Sequence, residues 1–468
     1  MKNGIKKYIY YTSLILCFIG LTFSLFLQAT YYHFNSKNVK NNIKLITSND
    51  YDGRLTGSLG NYKISEFIEK SFEDSKLAPL NNTYRESFKV KAPIKNNSSP
   101  QLLVKKGSEV VYEYKYGIDF KEDMTNFRTS SATFSRADTV DIYRNSFVVT
   151  HSNLKYLFYV SFDKNFDFRS SFNADSSYEF SVAITTDLYN ELLDSLRSGN
   201  TITVNLPYTI ESVETSNIIG VLKGSSNDLP PLIVSAHFDH LGTDSLGNYY
   251  NGALDNASGT AFMLELSKNL SSFIKPKRDI IFVALTGEEF GLLGSKKFVS
   301  DYSNEISGGK AINFDMIGAP NVPLTLLSGT NSKDKLNKSE YNLINSLKNI
   351  SSDLGTKYVV KFEDSSDHAS FSNIGIDSVT ICHSDLSRIH TPNDTVRFID
   401  TDAIDNVYSI VQKEIYSYAY NNFILLLYSP TLSLFFSIIF IILIIFPAIK
   451  YRLKTYMVKI VSSINPFK

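Results

Sequence analysis

Hydrophobic positions are spread unevenly along the 468 residues. Two stretches, residues 8–36 and 415–449, contain no Asp, Glu, Lys or Arg. Their most apolar parts, 8–29 and 431–448, sit within runs long enough for the roughly 20 residues that cross a bilayer as a helix. Between them the apolar runs are short: 232–236, 280–285, 311–314 and 378–382. Continuous short runs of this kind predict strands buried on both faces, as in a parallel sheet. Helical periods separate them. Met263, Leu266, Leu270 and Phe273 recur at i, i+3, i+7 and i+10, which predicts a helix over 257–270. A further helix is predicted over 340–354. Strands alternating with helices predict an α/β fold, a mostly parallel mixed sheet covered by helices on both faces. Residues 96–207 read differently, with Tyr, Phe, Val and Ser in short alternating runs such as 109–114. They predict a β-rich insert that ends strand–helix–strand over 180–182, 187–196 and 201–204.

Composition narrows the class. Hydrophobic residues make up 43% and charged residues 20%, which excludes a wholly disordered chain. Lys+Arg and Asp+Glu are equal at 47 each, without the basic excess of a nucleic-acid-binding protein. Cys17 and Cys382 are too few for a disulfide scaffold or a thiolate zinc cluster. The charge balance is an average over unlike parts. Lys2, Lys6 and Lys7 precede the first apolar stretch, and Lys450, Arg452, Lys454, Lys459 and Lys468 follow the second, with no acid in either end segment. The positive-inside rule therefore puts both termini in the cytoplasm and everything between the spans on the extracytoplasmic side. No small-residue cleavage site follows near Ala29, so the first span reads as an uncleaved anchor. The predicted organisation is a cytoplasmic 1–7, a span at 8–30, an α/β domain over 31–95 and 208–421, the insert at 96–207, a span at 423–449 and a basic tail at 450–468.

Seven residues stand where the predicted strands end: His237, Asp239, Asp255, Glu288, Glu289, Asp315 and His390. Singly, each reads as a cap or a loop residue. In a parallel sheet, however, all these strand ends lie on one edge, where α/β proteins bind ligands. Five carboxylates and two imidazoles in one crevice would be costly without counter-charge. Divalent cations supply it, and His, Asp and Glu are suitable zinc ligands.

Six segments in order resemble the co-catalytic two-zinc aminopeptidases, metallopeptidase family twenty-eight, whose relatives include glutamate carboxypeptidase II. They are Ser235-Ala236-His237-Phe238-Asp239-His240, Gly252-Ala253-Leu254-Asp255-Asn256-Ala257-Ser258-Gly259, Thr286-Gly287-Glu288-Glu289-Phe290-Gly291, Asn313-Phe314-Asp315-Met316, Ser366-Asp367-His368-Ala369-Ser370-Phe371 and Ile389-His390-Thr391-Pro392-Asn393-Asp394. Arg54-Leu55-Thr56-Gly57-Ser58 also resembles the family's opening. The resemblance covers about 40–95 and 208–420. It implies a zinc exopeptidase fold and a metallo-aminopeptidase acting on peptides. It also implies roles: His237 and Asp315 on one zinc, Glu289 and His390 on the other, Asp255 bridging both, Asp239 orienting His237 and Glu288 as general base. The Asp255–Asn256 bond would be cis, and Asp367 and His368 would line the pocket. Cobalt or manganese could replace zinc. His240 and His383 read as loop residues or as supports behind the ligands rather than ligands themselves, and Cys382 as a buried small residue. Arg388, just before His390, could pair with a substrate carboxylate or stay in solvent. The insert resembles a protease-associated domain, most clearly over 180–206, either bordering the entrance or merely packing. Two other readings share the fold: a glutaminyl-cyclase-like acyltransferase with one zinc, and a receptor-like protein without catalysis. The full donor set and Asn256-Ala257-Ser258-Gly259 favour the peptidase.

Overall fold

A computed structural model describes residues 2–163, 165–226, 228–335, 342–420 and 423–464. Glu340, the expected start of one helix, and Lys468, in the basic tail, lie outside the described residues.

Among these residues a nine-stranded mixed sheet forms the centre. Its middle is four parallel strands: β1 (Leu232–His237), β2 (Ile280–Leu285), β3 (Lys310–Phe314) and β4 (Asp377–His383). Their order is β2-β1-β3-β4, each pair parallel. Apart from Lys310 every residue in them is buried, which is why they read as unbroken apolar runs. Antiparallel strands close both sides. Tyr208–Leu222 pairs with β2, and Leu324–Ser328 pairs with β4 and carries Tyr358–Phe362 at the edge. Alternate residues of β1 serve opposite faces: Leu232 and Val234 join a core with Met263, Leu266, Ile43, Ile68 and Val407, while Ile233 packs with Phe298 and Phe371. Helices thus cover both faces, as the alternating pattern predicts. The helix expected over 257–270 runs Gly259–Ser271, and the one expected over 340–354 runs Leu343–Asp353 among the described residues.

Strand Arg85–Lys95 pairs with Tyr208–Leu222 over eleven positions, and this ribbon carries the insert. The insert contains a five-stranded and a four-stranded sheet. Its terminal strand–helix–strand is Phe180–Ile184, Thr186–Arg197 and Thr201–Asn205, the two strands belonging to different sheets. Its core of Phe134, Phe147, Phe158 and Phe180 is continuous with Leu241, Tyr250 and Phe290 of the α/β domain. A shared core binds the two regions more firmly than a linker would.

Helices Lys2–Thr30 and Pro430–Ile464 project from the α/β domain with mostly exposed apolar side chains, and both are long and apolar enough to cross a membrane. They pack on each other. Gly20 lies against the Phe436 ring, Tyr10 donates to the Leu443 carbonyl at 2.9 Å, and Gln28 donates to the Ser429 carbonyl at 3.0 Å. The second run differs from the expected single segment at 423–449. Phe423–Leu427 is a separate short helix with Ile424 in the α/β core, and the long helix begins at Pro430. Pro430 lacks an N–H and is suited to a first helical turn, so it starts a helix rather than continuing one.

Candidate active site

β1 ends in His237, and the chain then turns through Phe238 and Asp239. The Asp239 carboxylate accepts from the Thr56 hydroxyl at 2.9 Å and from the Glu288 and Glu289 amides at 3.3 Å each. It therefore ties the loop after β1 to the loop after β2. Its Oδ1 faces His237 Nδ1 at 3.6 Å. Arg54, fully buried, holds the same floor: it donates to the carbonyls of Phe238 (2.8 Å), Asn251 (2.5 Å) and Gly252 (3.1 Å). Gly252 has φ +52° and an added Cβ would lie 1.9 Å from the Asp255 carbonyl oxygen, so only glycine fits this turn. Asp394 accepts from the Leu254 and Asp255 amides at 2.9–3.0 Å. The Asp255–Asn256 peptide is cis. Asn256 donates to the Phe314 carbonyl and accepts from the Met316 amide, which joins this turn to the end of β3.

This scaffold brings the seven strand-end residues to one edge of the sheet. His237 Nε2 lies 3.5 Å from Asp255 Oδ1, 3.6 Å from Asp315 Oδ1 and 4.0 Å from Glu288 Oε2. His390 Nε2 lies 3.3 Å from Asp255 Oδ2 and 3.3 Å from Glu289 Oε2. The two Asp255 oxygens thus face different imidazoles. Atoms held about 2.0–2.1 Å from one tetrahedral zinc lie about 3.3 Å from each other, so these spacings fit the edges of metal tetrahedra. Asp315 Oδ1, which faces His237 Nε2, is buried without a hydrogen-bond partner, as a ligand atom that awaits a cation would be.

The charges are strongly interdependent. Burial opposes charge on His390, yet Glu289 and Asp255 hold its pKa up at about 11. Burial also opposes the Glu289 carboxylate, but His390 and His240 hold it well below the usual range. Glu288 moves the other way: burial, with Glu289, Asp367 and Asp315 close by, raises it well above the usual range despite His237. Two neighbouring carboxylates are therefore driven apart, one ionised and one ready to hold a proton.

Other expectations change. Of the two readings of His240, the geometry favours a support behind a ligand: Nδ1 lies 2.9 Å from Glu289 Oε1, and His240, Asp255 and Glu289 form a compact donor group beside that of His237, Glu288 and Asp315. Its ring is fully buried. Asp367 and His368 are fully buried and lie behind the cavity wall instead of lining it. His368 Nε2 donates to the Glu363 carbonyl and its Nδ1 faces the Thr380 hydroxyl, so it braces the wall. Burial, countered by His237, pushes Asp367 up to about 7. His383 accepts from the Gly318 amide and stands outside the donor groups. Arg388 donates to Asp385 at 2.6 Å and stacks on Phe398, and the cation that lines the cavity is Lys361. The cavity is about 280 Å³, with Met316, Leu327, Cys382, Leu386 and Ile389 as its apolar wall.

The insert takes part. Ser171 Oγ donates to Glu289 Oε2 at 2.5 Å, and the Phe172 amide donates to the Glu289 carbonyl at 3.0 Å. The Arg169 amide donates to the His390 carbonyl at 3.1 Å, and Phe168 stacks on the His390 ring at 5.9 Å. Ser171 and Phe168 escape sequence reasoning, and so does the partner of His240. A loop serine carries no signature, and the reach of His240 depends on the turn that follows it.

The parallel sheet with its C-terminal-edge site defines an α/β protein of the zinc exopeptidase fold. Residues 217–415 match the family described as Peptidase family M28. The chain is 30% identical to Aminopeptidase YwaD of Bacillus subtilis (strain 168) over 217 residues, 43% of this chain and 44% of that protein. It is 46% identical to Vacuolar membrane protease of Candida glabrata over 85 residues, 18% of this chain and 8% of that one. The matched parts are less than half of each curated relative. The fold resembles BSAP, a zinc aminopeptidase from Bacillus subtilis, with TM-score 0.60 and 18% identity over 83% of this chain and 96% of that one.

Proposed function

We propose that the protein is a membrane-anchored metallo-aminopeptidase that removes N-terminal residues from peptides. The observation that carries the reading is the Asp255 carboxylate set between His237 and His390, each 3.3–3.5 Å from a different oxygen. His237, Asp255 and Asp315 would hold one zinc, and Asp255, Glu289 and His390 the other. Once bound, the ions supply Lewis acidity that acidifies water and polarises a carbonyl. Glu288 takes the proton from the attacking water and returns it to the leaving amine, a role that a raised carboxylate pKa suits. Asp239 keeps the His237 ring in place, while Ser171 and His240 orient Glu289. The apolar wall of the cavity receives the substrate side chain. The two long apolar helices anchor the chain, and their basic flanks favour cytoplasmic termini with the catalytic domain outside.

The test is hydrolysis by the full chain of aminoacyl-arylamides and of N-blocked peptides, with and without a chelator. Cleavage of free N-termini only, abolished by chelator and restored by zinc, is expected. Cleavage of blocked peptides alone would sink the aminopeptidase reading, and activity indifferent to chelation would sink the metal one.

A further inference from the structure

The two membrane-length helices and the catalytic crevice attach to opposite edges of the sheet. The seven donor residues stand at or beyond the C-terminal ends of parallel strands, from His237 at the end of β1 to His390 after β4. The anchors meet the other edge. Tyr31, Phe273 and Tyr428 form an aromatic cluster with centroids 4.7–5.6 Å apart, where both apolar helices meet the domain. Tyrosine-rich clusters of this kind favour the bilayer–water boundary. Phe273 lies in the loop that leads into the N-terminal end of β2. In the same loop the Ile274 amide donates to Tyr428 Oη at 2.9 Å, and the Lys277 amide donates to the Ala419 carbonyl at 2.8 Å.

The attachment is stiff. Only five residues separate helix Lys2–Thr30 from Ser36–Ile46. Within them Tyr32 donates through its hydroxyl to Glu265 at 2.8 Å, and the Asn35 amide donates to the same carboxylate at 3.0 Å. Phe34 stacks on Tyr408 at 4.0 Å and 6°. These contacts seat both helices directly on the domain and leave no free stalk between them and the first helix. The six residues of β2 alone put about 20 Å between the two edges.

We infer that the crevice opens away from the bilayer, so that its substrates are free peptides arriving from the aqueous phase, and chain ends emerging from the same membrane are out of reach unless carried on a long spacer. This rests on the membrane-anchored aminopeptidase reading but does not depend on which side of the membrane the domain occupies.

The experiment uses the full chain reconstituted in vesicles, with the accessible fraction counted by protease protection. Three substrates share one free N-terminal sequence: a soluble peptide, the same peptide joined at its C-terminus to a lipid through about four Gly/Ser residues, and the same through about 30. Four residues reach at most about 14 Å, and 30 average about 30 Å end to end. The expected result is rapid cleavage of the soluble peptide, cleavage at least tenfold slower with the short spacer, and recovery to within about threefold with the long one. Short-spacer cleavage at the soluble rate overturns the inference. So does a long spacer that fails to restore cleavage, because distance would then not be the barrier. Loss of cleavage of the soluble peptide rejects the aminopeptidase reading itself, and the inference with it.

Discussion

His237 and Asp315 stand at the ends of β1 and β3, two strands that pair directly, and everything that holds them comes from the α/β domain. The Asp315 carboxylate accepts from Ser366, and Asp239 steadies the other side of His237. Glu289 and His390 stand further out, on loops beyond β2 and β4. Their position leans on a segment of the insert, through Ser171 on the Glu289 carboxylate, backbone bonds from Arg169 and Phe172, and Phe168 over the His390 ring. One half of the site is thus a product of the sheet, and the other is a contact between two regions. The first should tolerate changes in the insert, and the second should not.

The largest effect serves both halves. Glu288→Gln should lower kcat by about 10²–10⁴-fold, the usual contribution of a general acid–base, while bound metal measured by elemental analysis stays at the wild-type level. Next comes a matched pair. Asp239→Ala should weaken metal at the His237 side, and Ser171→Ala at the Glu289 side, each by about 10–100-fold as for other outer-shell partners. Chelator titration followed by metal counting should show loss of a different ion in each. The asymmetry fails if Ser171→Ala releases both ions together. Phe168→Ala removes a ring that stacks on His390 without touching a carboxylate, so it should raise KM several-fold and leave metal content alone. The smallest effect lies in the cavity wall. Burial pushes the Cys382 thiol up to about 12, so almost no thiolate is present near pH 8 and alkylation of the folded protein should leave it unmodified by mass spectrometry.

Legibility in the sequence follows the same division. β1 to β4 were readable because strands buried on both faces need apolar side chains at every position. His237, Asp239, Asp255, Glu288, Glu289, Asp315 and His390 were readable as a group because each sits just past such a run, or at the start of the helix that follows one. The edge strand Tyr358–Phe362 was not, since a half-exposed strand resembles a loop in composition, and Leu324–Ser328 was not read either, although it is fully buried and as long as β3. Asp367 and His368 sit inside a motif, yet their complete burial behind the wall depends on how helix His368–Asn373 packs on the sheet. Ser171 lies 118 residues from Glu289, and nothing local marks it.

By itself the sequence determined where the chain is apolar enough to anchor, where the parallel strands run and which carboxylates and imidazoles follow them. These are properties of short segments, governed by burial, periodicity and strand ends. Only the tertiary structure decided that His240 and Ser171 meet Glu289, that the insert shares its core with the α/β domain, and that the two long apolar helices join the edge opposite the site. Those depend on contacts between residues far apart in the chain, and a hydroxyl or imidazole acquires its role only once packing has placed it beside a partner.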